Sequence, residues 1–204
     1  MFTGLIREMA TVQSYRNNEL SLKAKYTPNI GDSICINGAC LTVVNVAPNS
    51  FTVELSPETQ THIATQNLQG KVHMEPAMAM GDRFEGHIVQ GHVDCIGEIT
   101  QIKNNGNSTD FFISIEEEFR QFLVPKGSVT VDGVSLTINE VTQDGFRLTI
   151  IPHTIKESLF GEYTQGYKVN IETDMFARYI FHLFKPQNKQ SVSWDDINKI
   201  TALY

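Results

Sequence analysis

The chain has 204 residues, enough for one large domain or for two of roughly 100 each. At 41% hydrophobic and 19% charged residues it has the make-up of a soluble globular protein, and no apolar run nears the ~20 residues of a membrane helix. A formal net charge of -7, with no basic stripe to displace counterions from phosphates, argues against a nucleic-acid partner and favours an uncharged or modestly anionic small molecule.

Residues 1 to 27 read as two strands. FTGLIREMATVQSY carries β-branched residues, and NNELSLKAKYT alternates Leu20, Leu22 and Ala24 with Ser21, Lys23 and Lys25, with Asn17 and Asn18 at the turn. Pro28 to Asp32 form a loop. SICINGACLTVVNV is a strand broken at Asn37-Gly38, a dipeptide that supplies a type I′ turn or a bulge. After Pro48-Asn49-Ser50, FTVEL sets Phe51, Val53 and Leu55 on one face. From Ser56 to Asn67 the alternation stops, and Ser56 as N-cap with Pro57 in the first turn predicts a short helix. KVHMEPAM is a sixth strand. Six short strands and one small helix predict a closed antiparallel barrel, which leaves no sticky edge.

The second half runs in the same order: strands near 88 to 103 and 110 to 115, a loop at Lys126-Gly127, then VTVDGVSLTINEV, FRLTII, a helix start at Pro152, and YKVNIET. FARYIFHLF has no counterpart. Phe176, Tyr179, Ile180, Leu183 and Phe184 fall at helical spacing, an apolar face that reads as an oligomer contact. SWDDINKITALY, with Ser193 and Asp196 as caps, predicts a second amphipathic helix.

The halves are copies. NGACLTV meets DGVSLTI at an offset of 95, which also pairs Ser33 with Ser128, Gly38 with Gly133, Phe51 with Phe146 and Thr59 with Thr154. The leading segments match at a different offset, with Gly4 on Gly91 and Ile6 on Val93. The expected domains are therefore residues 1–85, residues 86–174, and a tail of residues 175–204 for oligomerisation.

MFTGLIREMA lacks a basic region leading into a long apolar core, so no secretory signal is expected. Cys35, Cys40 and Cys95 have no metal-ligand spacing, and their odd number argues against a disulfide framework, so a reducing cytoplasm fits best. There is no phosphate-binding glycine loop, zinc spacing or nucleophile elbow. His87 and His92, five apart, are expected on opposite faces of a strand. What remains is the polar set that both copies keep: Cys40 with Thr42, and Ser135 with Thr137, each pair on one strand face. Taken alone, those positions are read equally well as a repeated turn and core.

MFTGLI, NGACLTV, GDRFEGHIVQGHVD, VDGVSLTINEV, IIPHTIKES and VNIETDMFARY, in this order, closely resemble the riboflavin synthase family, built from two lumazine-binding repeats. The resemblance runs from Met1 to about Phe184. It implies an all-β chain of two tandem six-stranded antiparallel Greek-key barrels with a C-terminal helix. It implies a transferase that dismutates two molecules of 6,7-dimethyl-8-ribityllumazine into riboflavin and 5-amino-6-ribitylaminouracil by four-carbon transfer, with no metal and no cofactor. It also implies a homotrimer, in which the first barrel of one chain faces the second barrel of its neighbour, and association with lumazine synthase.

Carried over residue by residue, the resemblance implies substrate contacts in the first barrel at Phe2, Thr3, Gly4, Leu5 and Ile6, at Cys40, Leu41 and Thr42, and at Glu54, Leu55, Ser56, Pro57, Glu58 and Thr59. In the second barrel it implies Gly91, His92 and Val93, Lys126, Ser135, Leu136 and Thr137, and Ile150, Ile151, Pro152, His153, Thr154 and Ile155. The resemblance implies that the first chemical step is loss of a proton from the C7 methyl group of one lumazine. Ser135 and Thr137 are the first choice for stabilising the resulting charge, and His92 or His87 for the base. Cys40 either adds to the second lumazine or lines the pocket. Asp174 is either an active-site acid or a cap for the helix that follows. Met9-Ala10, the short Thr65 to Lys71 loop and KVHMEPAM depart from the family pattern in the first barrel. Some relatives bind lumazine or a flavin without turnover, which is the alternative function. A flavin reductase would need a nucleotide-binding domain for which the chain has no room.

Overall fold

The computed structural model describes residues 1–184, and these build two closed six-stranded antiparallel barrels and a C-terminal helix. The first barrel holds β1 (Glu8–Arg16), β2 (Glu19–Lys23), β3 (Ser33–Ile36), β4 (Ala39–Ala47), β5 (Ser50–Glu54) and β6 (Lys71–Pro76), with α1 (Pro57–His62) between the last two. Its neighbours run β1-β2-β5-β4-β3-β6 around the closed sheet. The second holds β7 (Cys95–Asn104), β8 (Thr109–Ser114), β9 (Ser128–Val131), β10 (Val134–Val141), β11 (Gly145–Ile150) and β12 (Lys168–Thr173), and closes in the matching order β7-β8-β11-β10-β9-β12. Its helices are α2 (Glu117–Arg120) and α3 (Pro152–Lys156), and α4 (Met175–Phe184) follows β12.

The expected alternation places the core. Leu20, Leu22, Ala24, Phe51, Val53 and Leu55 are all buried in the first barrel, and Phe111, Ile113, Phe146 and Leu148 in the second. Each of these side chains other than Ala24 contributes about 1.5–3 kcal/mol on leaving water. Asn37 and Gly38, with φ of 44° and 86°, form the tight turn between β3 and β4, and Asp132 and Gly133 repeat it between β9 and β10.

Three expectations change. The helix expected to reach Asn67 ends at His62, because Ile63 turns extended and enters the core while the Ala64 N–H is taken by Asn170 Oδ1 at 2.7 Å. β1 starts only at Glu8 and β7 only at Cys95, so the leading segments are not strands. The Thr3, Gly4, Gln90, Gly91 and His92 N–H groups are claimed by glutamate side chains instead of a ladder, and the two segments pair with each other through the Phe2 to Val89 bridge and the His87 N–H on the Thr3 carbonyl. His87 and His92 consequently lie on irregular backbone, and the two-face rule of a strand does not govern them. The second helix expected from Ser193 lies outside the described residues.

The barrels meet turn to turn. A Cβ on Gly38 would stand 2.9 Å from the Gly133 nitrogen, and one on Gly133 2.8 Å from the Gly38 nitrogen, so only glycine allows this approach. Around that point lies a buried polar ring. Asp132 accepts from the Tyr163 hydroxyl at 2.6 Å and the Asn170 N–H at 2.7 Å, and burial pushes its carboxyl up to about 7.

Candidate functional site

Each leading segment crosses to the other barrel, which corrects the expected pairing of segments and pockets. Gly91, His92 and Val93, assigned by resemblance to the second barrel, line a cavity of about 450 Å³ on the first, together with Cys40, Ser56, Glu58, Thr59 and His62. The Cys40 N–H donates to the Gly91 carbonyl at 2.8 Å, and Val93 packs on the first core. Gly4 and Ile6 reach the second barrel in turn: the Ser135 N–H donates to the Gly4 carbonyl at 2.8 Å, and Ile6 packs on the second core.

The physical cause lies in two glutamates that sequence reasoning passed over. Glu75 on β6 accepts from the Thr3 and Gly4 N–H groups at 2.7 and 2.9 Å and from the Thr3 hydroxyl. Glu172 on β12 accepts from Gln90, Gly91 and His92 at 2.8, 2.9 and 3.1 Å. Burial pushes both carboxyls up, Glu172 to about 7, while these N–H donors oppose the shift. Their signal was in the chain, since HMEP and NIET carry a glutamate at the same place in the last strand of each copy.

Local structure explains the first pocket's polar wall. Ser56 caps α1, its Oγ accepting from the Thr59 N–H at 3.0 Å and lying 2.9 Å from the Thr59 hydroxyl, so the two oxygens form one cluster at the pocket. Cys40 is half-buried on β4, opposite the buried Cys35, whose thiol burial pushes well up. Cys35 is therefore an unreactive core thiol.

On the second barrel, His87 Nδ1 and Ser135 Oγ share a hydrogen bond of 2.7 Å. Burial lowers the His87 pKa, and the nearby Asp174 carboxylate works against that. Asp174 also accepts from the Phe176 N–H at 2.8 Å, so it caps the start of α4. Thr42 and Thr137 are exposed on the outer faces of β4 and β10, His153 and Ile151 are exposed at the start of α3, and Glu54 is exposed at the end of β5. Lys126 is exposed and left-handed, with φ of 65°.

Several carried-over positions are taken up by the cores and the seam. Leu41, Leu55 and Ile150 are core residues, and Phe2 is buried at the seam with Cys35 and Val89. A contact segment on a strand alternates faces, so every second residue points inward. Among the described residues, no group of three or more His, Cys, Asp or Glu side chains is arranged to hold a metal ion, and no helix is long and apolar enough to cross a membrane.

A family model described as lumazine binding domain matches residues 3–77 and again residues 90–174. The chain is 42% identical over 198 residues to riboflavin synthase of Bacillus subtilis (strain 168), covering 93% of this chain and 92% of that one. It is also 42% identical over 204 residues to riboflavin synthase of Photobacterium phosphoreum, covering 94% of each. Among solved structures, LumP complexed with riboflavin superposes with a TM-score of 0.76 over 85% of this chain and 99% of that one. At 18% identity, that likeness concerns the fold alone.

Proposed function

Because the chain belongs to the riboflavin synthase family, with a lumazine binding domain in each half, we propose that it moves a four-carbon unit between two molecules of 6,7-dimethyl-8-ribityllumazine, yielding riboflavin and 5-amino-6-ribitylaminouracil. The observation that supports this most is the repetition of one device: Cys40 with Gly91 on the first barrel, and Ser135 with Gly4 on the second, each joined by the same 2.8 Å backbone hydrogen bond. A reaction between two identical molecules needs two similar cradles. Holding two well-oriented partners together can supply roughly 7 to 11 kcal/mol of barrier lowering.

In this reading the second barrel takes up the proton of the C7 methyl group. His87 is the base, Ser135 holds it through their shared hydrogen bond and offers its hydroxyl to the developing charge, and Asp174 stabilises the imidazolium. His92, Cys40 and Thr59 contact the lumazine on the first barrel.

Assembly as a homotrimer belongs to the same proposal, as does association with lumazine synthase and a cytoplasmic location. The trimer is supported by α4, where Phe176, Tyr179, Ile180, Leu183 and Phe184 form an exposed apolar stripe, with Leu183 77% and Phe184 80% exposed. Sedimentation of an Ile180→Asp, Leu183→Asp variant tests it, with smaller particles expected.

The deciding assay supplies the lumazine as sole substrate. Riboflavin absorbance should rise by one product for every two substrates consumed. Tight binding without conversion would instead favour a lumazine-holding protein.

A further inference from the structure

We infer that Arg178 is a positioning residue: from α4 it fixes the crossing segment 90–94, whose Gly91, His92 and Val93 form one wall of the first barrel's pocket. Arg178 Nη1 donates to Asp94 Oδ1 at 2.6 Å, and Nη2 to Gln90 Oε1 at 2.9 Å. Its two bonds therefore bracket those three residues. A guanidinium suits this task because its planar fork serves two separate acceptors at once, which an ammonium does not reproduce.

The far side of the segment is equally tied. Asp94 Oδ2 accepts from the Thr173 N–H and hydroxyl at 2.7 and 2.6 Å, and the Asp94 N–H donates to the Ile171 carbonyl at 2.8 Å. Both Asp94 oxygens are thus occupied, one by the end of β12 and one by α4. The pair is largely shielded, with side-chain exposures of 24% for Arg178 and 11% for Asp94. Breaking such a pair strands a carboxylate next to Glu172, the group that holds the Gln90, Gly91 and His92 amides.

The first repeat shows what the clamp adds. Its leading segment is held by Glu75 in the same way, but Arg7 stands where Asp94 would be, and no helix follows β6. Among the described residues, the second leading segment is bolted to a helix and the first is not. That helix is itself seated on the second barrel, where Phe181 meets Phe122 edge to face at 5.3 Å.

Only the identity of the pocket's occupant rests on the proposed function. The test uses the full chain with Arg178→Gln, Arg178→Lys and Asp94→Asn. Hydrogen exchange at the Gly91 and His92 amides should speed up at least tenfold in Arg178→Gln. Fluorescence titration with 6,7-dimethyl-8-ribityllumazine should show Kd raised about tenfold, with KM rising more than kcat falls and sedimentation unchanged. Arg178→Lys should recover part of the loss, and Arg178→Gln combined with Asp94→Asn should lose no more than the worse single variant. Unchanged exchange, additive losses, or a loss that appears only as the particle becomes smaller would each overturn the assignment. A wild-type chain that binds the lumazine without converting it ends the functional reading and leaves the exchange and affinity comparisons standing.

Discussion

His73 and Asn170 occupy matching positions on β6 and β12, and each reaches across the seam to the same pair of backbone groups in the other barrel. His73 Nδ1 donates to the Asp132 carbonyl at 2.9 Å while Nε2 accepts from the Leu159 N–H at 2.8 Å. Asn170 Nδ2 donates to the Asn37 carbonyl at 2.7 Å while Oδ1 accepts from the Ala64 N–H at 2.7 Å. An imidazole and an amide are interchangeable here because each carries one donor and one acceptor at opposite ends, provided the imidazole is neutral.

That proviso gives a pH dependence. Burial lowers the His73 pKa from 6.5 to about 4. Its contribution is complete above 6.5 and is lost as pH falls from there to about 4, because the unfolded chain takes up the proton first; the gap is worth about 3 kcal/mol. Asp132 and Glu172, both raised to about 7, work in the opposite sense, favouring the fold in acid and losing that contribution as pH rises through 7. The difference between wild type and His73→Asn isolates the histidine. Urea unfolding at pH 7.5 and pH 5 should show wild type losing more stability on acidification than the variant, and parallel profiles would refute the assignment.

The Gly38 and Gly133 contact predicts a steep cost for a single methyl group. Both residues have positive φ, 86° and 80°, and an added Cβ on either meets the other's backbone nitrogen below 3.0 Å. Gly38→Ala or Gly133→Ala should each destabilise by about 2 kcal/mol or more, since backbone has no flexible end to move aside. The double variant should cost less than the sum, because one displacement of the seam relieves both clashes. Additive losses in thermal or urea unfolding would show that the strain is local to each turn.

Much of the fold was legible because its signals are local and doubled. Leu20 and Leu22, or Phe51 and Val53, report a buried face by alternation alone, and the repeat at offset 95 makes one barrel's reading a check on the other. The crossing of the leading segments was not legible. MFTGLI and GHIVQGHV have strand-like composition, and nothing in their spacing tells that Glu75 and Glu172 would take their amides in place of a neighbouring strand. Likewise, Ser135 and His87 were separate candidates, 48 residues apart in the chain, until folding joined them. Arg178 was hidden inside an apolar helix pattern, where its charge reads as solvent-facing.

Lys126 carries a cost that its counterpart avoids. It sits at φ 65° where the first repeat has Gly31 at φ 90°. A left-handed lysine costs roughly 1–2 kcal/mol relative to the right-handed state, and the gain from glycine is trimmed by its greater freedom when unfolded. Lys126→Gly should therefore raise stability, by up to about 1 kcal/mol in urea unfolding. If the ammonium also meets the ligand, the same variant should bind the lumazine more weakly. Greater stability with unchanged affinity would leave the strain unexplained by function.

The hydrogen bond between His87 and Ser135 separates a catalytic pair from a plain contact. Burial lowers the His87 pKa, so its basic form should persist below pH 6.5 and the acid limb of the kcat profile should fall there. Asp174→Asn removes the carboxylate that opposes this shift and should move that limb to still lower pH, with kcat reduced as the imidazolium loses its stabilising charge. Ser135→Ala should lower kcat by about tenfold or more while changing lumazine affinity little, since only the transition state carries the charge its hydroxyl meets. Equal losses in kcat and affinity would make Ser135 a binding contact. An acid limb that does not move in Asp174→Asn would place the base elsewhere, with His92 the next to test.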